Sequence, residues 1–152
     1  MVEKYYTPST EEFHVGFEYE VSTHTEFGQN AEQAIWIKQI FSFESVVMIN
    51  FDRDVFSKGI LSPLSRVKYL DSNDLKDLGW VIEIEDENMI KAMIDIPYEY
   101  EGATLHGKWE ISFGKDRYCF IYEDLWGKTG FFRGVIKNKS ELKNIMKMIN
   151  IF

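Results

Sequence analysis

The sequence predicts an α+β fold: mainly an antiparallel β-sheet meander, with a short mid-chain helix and a C-terminal helix packed on the sheet. Three observations carry this expectation. Apolar residues alternate cleanly at Phe13, Val15, Phe17, Tyr19 and Val21, which is the period of a strand with one buried face. Five short apolar runs follow one another closely after residue 79, too closely for parallel crossovers. Leu142, Ile145, Met146 and Ile149 recur at helical spacing. The aromatic share of 16% agrees, because aromatic rings suit pleated, half-buried surfaces.

Taken in order, Pro8-Ser9-Thr10 acts as a breaker before the strand expected over 13–21. On its other face that strand carries His14, Gly16, Glu18 and Glu20. Residues 22–34 are polar and loop-like, and the run 35–41 suits a strand through Ile35-Trp36-Ile37. A further apolar run covers 46–51 and ends at Asp52-Arg53-Asp54; an irregular stretch over 58–63 follows. Arg66-Val67-Lys68-Tyr69-Leu70 reads as a short strand leading into a helical turn. There Asp71 caps free amides, and Gly79 supplies the left-handed residue that ends the turn.

Strands are then expected over 80–85, 89–96, 108–113, 118–123 and 131–137. Asp86-Glu87-Asn88 and Gly114-Lys115-Asp116-Arg117 supply hairpin loops. The last helix takes Asn138 or Ser140 as its cap, with its apolar stripe on the sheet and Lys139, Lys143 and Lys147 toward water. No repeat or low-complexity segment interrupts the 152 residues, so one domain with its own core is expected.

Composition excludes several function classes. Twenty-five acidic against 17 basic residues leave a net charge of −8, which opposes binding to nucleic-acid phosphates. A single cysteine, Cys119, rules out an intramolecular disulfide and any cysteine-rich metal site. Its apolar neighbours point to a buried thiol. Met1-Val2-Glu3-Lys4-Tyr5-Tyr6 contains no signal-peptide core, and no apolar run approaches the roughly 20 residues of a membrane helix. A cytoplasmic protein without membrane contact is expected.

Motifs for chemistry are sparse. There is no Gly-x-Ser-x-Gly, P-loop or dinucleotide fingerprint, so no catalytic residue, cofactor or metal is expected. Gly127-Lys128-Thr129-Gly130 lacks the spacing of a phosphate loop and reads as a hairpin turn. The nearest approaches to a catalytic set are His24 with Glu26 in the polar loop, and His14 with Glu18 and Glu20 on one strand face. An imidazole beside carboxylates is the arrangement that acid–base chemistry requires. A stronger binding candidate lies around Trp126, which stands beside a glycine and is harder to bury than a mid-strand ring. With Phe132, Arg133, Tyr98 and Tyr100 it would form a stacking or protein-contact surface.

Lys4-Tyr5-Tyr6-Thr7-Pro8, followed by Glu11-Glu12-Phe13-His14-Val15-Gly16-Phe17-Glu18-Tyr19-Glu20, resembles the opening of small proteins of phages and prophages from Bacteroidetes-type bacteria. Arg66-Val67-Lys68-Tyr69-Leu70-Asp71, Leu78-Gly79 and the stretch from Gly134-Val135-Ile136 to Ser140-Glu141-Leu142 extend the resemblance. No known activity comes with it, so it assigns no functional residue. It implies a mobile-element setting, in the host-cell cytoplasm or the virion, where small accessory proteins often bind host components. The expected function is a non-enzymatic binding protein that engages a host or phage protein or sequesters a small molecule. A virion structural or assembly component is the second expectation, and a small hydrolase or phosphoesterase using the histidines the third.

Overall fold

The computed structural model describes residues 4–22, 35–44, 65–123 and 129–151. The apolar run over 46–51, the stretch 58–63, the His24–Glu26 pair and Trp126 lie outside the described residues. The chain divides into two compact units, Met1–Tyr69 and Leu70–Phe152. Strands and helices follow the α+β, mainly antiparallel pattern that the alternation and helical spacing predict.

In the first unit, β1 (Tyr5–Tyr6), β2 (Glu18–Ser22), β3 (Trp36–Ile40) and β4 (Ser65–Lys68) form a four-stranded sheet in the order β1-β4-β2-β3. All its pairings are antiparallel. The strand expected over 13–21 begins only at Glu18. Before it the chain makes a 3-10 turn, Thr10–Glu12, and a second turn at Gly16, whose φ of 92° lies in the left-handed region. Gly16 N donates to Phe41 O (2.7 Å) and Phe17 N to His14 O (2.9 Å), bonds a straight strand would not make. The alternation therefore marks burial rather than a continuous strand. Phe13 meets Phe17 and Tyr19 edge-on, each at 5.1 Å, and these close a small core with Phe41 and Val67. Val15, expected inside, is 60% exposed at the turn.

In the second unit, β5 (Val81–Glu85), β6 (Met89–Tyr100), β7 (Ala103–Gly114), β8 (Tyr118–Glu123) and β9 (Thr129–Val135) form the expected meander, in the order β5-β6-β7-β8-β9. The mid-chain helix α1 (Ser72–Asp77) begins on a reciprocal cap. Asp71 accepts from the amides of Asn73 (3.0 Å) and Asp74 (3.1 Å), while the Asp74 carboxylate accepts from Asp71 N (3.2 Å). Gly79, at φ 88°, ends the turn as expected.

The C-terminal helix α2 (Lys139–Met148) takes Asn138 as its cap, through Glu141 N at 2.9 Å. It buries Leu142, Ile145 and Met146 in a cluster with Ala92, Ile111, Phe113, Cys119 and Ile121 from the sheet. Trp80 closes one side, its indole N–H donating to Met146 Sδ at 3.5 Å. Lys139 holds Asp77 at 2.8 Å, so this lysine tethers α2 to α1 rather than simply facing water.

Leu142 is fully buried. Leu142→Ala is expected to cost about 2–5 kcal/mol, the usual price of a buried leucine deletion that leaves a cavity. Urea denaturation of the two proteins checks this, and a loss under about 0.5 kcal/mol would place the helix outside the core.

Candidate functional site

Strands β6 and β7 are longer than the expected 89–96 and 108–113, each running 12 residues. They pair without a break from Met89↔Gly114 to Tyr100↔Ala103. Glu101 (φ 50°) and Gly102 (φ 78°) form the two-residue turn, both in the left-handed region that a primed hairpin turn needs. Neighbouring strands support only part of this length. Among the described residues, β5 pairs with β6 no further than Met93, and β8 reaches β7 only at Trp109. Among the described residues, the sheet from Ile94 and Lys108 outward is thus a two-stranded ribbon. Pro97 is tolerated there because β6 has an open side, where a missing N–H breaks no ladder bond.

Pairing sorts the side chains into two faces. Ile94 pairs with Trp109 and Ala92 with Ile111, so these positions share the core face. Continuing along that face, Ile96 opposes Gly107 and Tyr98 opposes Leu105. Tyr98, Tyr100 and Leu105 are exposed at 38%, 58% and 40%. The result is an apolar strip contiguous with the core but outside it. The Phe131 ring, itself exposed, lies against the Trp109 indole at 4.8 Å where the strip meets the sheet. The opposite face of the ribbon is polar. Asp95 holds His106 at 2.9 Å and Thr104 donates to Glu99 at 2.7 Å.

Of the residues singled out from sequence, Tyr98 and Tyr100 stand together on this strip. Phe132 shares their sheet face, opposite Ile121, but packs partly buried against the core. Arg133 is on the other face, opposite Phe120, with its Nε donating to the Tyr118 hydroxyl at 2.9 Å. The surface expected from Tyr98, Tyr100 and Arg133 is therefore not formed as one, since alternation puts the arginine behind the sheet.

The His14, Glu18 and Glu20 grouping does not form either. The turn at Gly16 separates His14 from β2, and its Nδ1 lies 2.9 Å from Glu12 O. Glu20 instead accepts from Arg66 Nε at 2.8 Å. That guanidinium lies between two rings, 3.9 Å from Tyr5 and 4.0 Å from Trp36. This stack joins three strands across one sheet face, and sequence reasoning missed it because it depends on β4 inserting between β1 and β2. Among the described residues no group of three or more His, Cys, Asp or Glu could hold a metal ion.

Leu105 and the ribbon itself are also missing from the sequence expectation, whose strand ends at Ile96. The signal was present: Ile94, Ile96, Tyr98 and Tyr100 keep strict alternation through the proline. No family model, curated protein or solved structure matches the chain.

On the outer face of β6, Lys91 reaches Glu83 (3.0 Å) and the buried Glu110 (3.1 Å). The hydrogen bonds to Glu83 and then Glu110 hold its pKa above the ordinary lysine value. Cys119 is fully buried, and desolvation pushes its thiol from 9.0 up to about 12. Below pH 9.0 the thiol is protonated in both folded and unfolded chains, and its contribution to stability is complete. Between 9.0 and about 12 only the unfolded chain ionises, so stability falls as pH rises. Urea melts across that window are expected to fall more steeply for the native protein than for Cys119→Ala. Equal slopes would contradict the buried thiol.

Proposed function

We propose that this protein is a non-enzymatic binding protein that engages a partner protein through the apolar strip of the β6–β7 ribbon. The observation that carries this reading is an extended hairpin whose tyrosines and leucine stay exposed beyond the core. An isolated two-stranded ribbon is marginal in water, and leaving its apolar face open costs stability without a packing return. Tyrosines anchor interfaces well, because each buries a large ring while ordering few torsions. The motifs resembling phage and prophage proteins favour a host protein as the partner, in the host cytoplasm.

The hydrolase expectation draws less support from the described residues, because the turn at Gly16 separates His14 from Glu18 and Glu20; His24 and Glu26 lie outside them. Edge-to-edge packing in a virion is also less supported. In the second unit the outer strands are irregular, with register shifts at Ile82/Ile84 in β5 and opposite Ile121/Tyr122 in β9, features that blunt strand addition.

Tagged wild-type protein and the double variant Tyr98→Ser/Tyr100→Ser can be compared by quantitative mass spectrometry of proteins retained from a bacterial host lysate. Both positions are exposed, so the variant is expected to fold normally. A specific partner is expected on the wild type and to fall roughly tenfold or more on the variant, the loss of about 1.4 kcal/mol or more. Retention that ignores the substitutions would remove the ribbon as the docking site.

A further inference from the structure

Gly107 lies within β7 where the ribbon joins the sheet, directly opposite Ile96. Its backbone does not require glycine, since the glycines at positive φ are Gly16, Gly79 and Gly102. A glycine inside a strand weakens it and often marks a place where another backbone comes close. Here the missing side chain opens a notch with defined chemistry. A Cβ at this position would lie 3.4 Å from Glu123 Oε1, 3.5 Å from Trp109 Nε1 and 3.6 Å from Tyr98 Cε1. An acceptor, a donor and a ring edge thus converge on one point.

The donor is unusual. Trp109 is only 7% exposed, yet its indole N–H meets no hydrogen-bond partner among the described residues. Buried indoles ordinarily satisfy that group, as Trp80 does on Met146 Sδ. No buried side-chain nitrogen or oxygen among the described residues is left unsatisfied, so the Trp109 N–H still reaches the surface. The Glu123 carboxylate likewise has no ion pair or hydrogen bond among the described residues.

We propose that this notch receives one peptide group of an extended, basic segment of the partner. Its carbonyl accepts from Trp109 Nε1, and its amide N–H donates to Glu123. The inference rests on the ribbon being the docking face, and it names what docks there. A guanidinium has donors only and would leave the indole unmet, while a phosphate would be repelled by Glu123. A peptide group supplies both partners, and the segment continuing from it covers Tyr98, Tyr100 and Leu105. Basic flanking residues follow from charge: Glu123 lines the notch itself, while Asp95 and Glu99 on the ribbon's other face and Glu101 at its turn outnumber Lys108.

The probe is a displayed library of random decapeptides selected on the wild-type protein, with the best sequences remade as blocked peptides. Gly107→Ala is the decisive variant. The added methyl makes ordinary contacts of 3.4–3.6 Å, so folding is retained while the notch is filled. Selected peptides are expected to be basic, to weaken roughly tenfold or more on Gly107→Ala and on Glu123→Gln, and to move the Trp109 indole ¹⁵N–¹H resonance. Peptides that need Tyr98 and Tyr100 but bind both variants unchanged would overturn the notch and leave the ribbon standing. Peptides indifferent to all four residues, or a selection that yields none, would overturn both.

Discussion

A mismatch of lengths governs the second unit. Helix α2 is ten residues long, about 15 Å at 1.5 Å per residue. Strands β6 and β7 have 12 residues each, about 40 Å at 3.4 Å per residue. A short helix cannot cover so long a face. Leu142, Ile145 and Met146 therefore pack over Ala92, Ile111, Cys119 and Ile121, and the core ends near Ile96. Beyond that point the same face continues with Tyr98, Tyr100 and Leu105, apolar by alternation and left open by geometry. The functional reading grows from that uncovered length.

The features legible in the sequence are those set by local chemistry. Asp71 and Gly79 bracket α1 because an acceptor is needed at one end and a left-handed residue at the other. The stripe on α2 and the short loops of the meander are equally local. What escaped depends on partners distant in sequence or on a rule with an exception. Phe13, Phe17 and Tyr19 do gather in one cluster, but the chain reaches it through a turn at Gly16, which periodicity cannot distinguish from a strand. The strand expected over 89–96 runs on through Pro97, which an open strand side tolerates. Arg66 stacks on Tyr5 and Trp36 only because β4 lies between β1 and β2, an order no local pattern encodes.

The same distinction applies to the candidate site. Tyr98 and Tyr100 were identifiable as exposed aromatics, and their common face follows from spacing alone. Sequence proximity to other aromatics groups Arg133 with them, but its parity in β9 sends it behind the sheet beside Tyr118 and Phe120. Strand edges point toward contact through a face. β5 carries Glu83 and Glu85 beside a register shift, and the free side of β6 carries Pro97. These features discourage an added strand while leaving the tyrosines accessible.

If contact is the ribbon's role, it is an extension the core does not need. Thermal unfolding of a shortened hairpin tests it most directly, with residues 97–106 replaced by Asn-Gly so that the paired Ile96 and Gly107 are joined by a two-residue turn. A melting temperature within about 4 °C of the native protein is expected, a change of under about 1 kcal/mol. A fall of about 10 °C or more would contradict it, because the ribbon would then be supporting the core rather than extending from it.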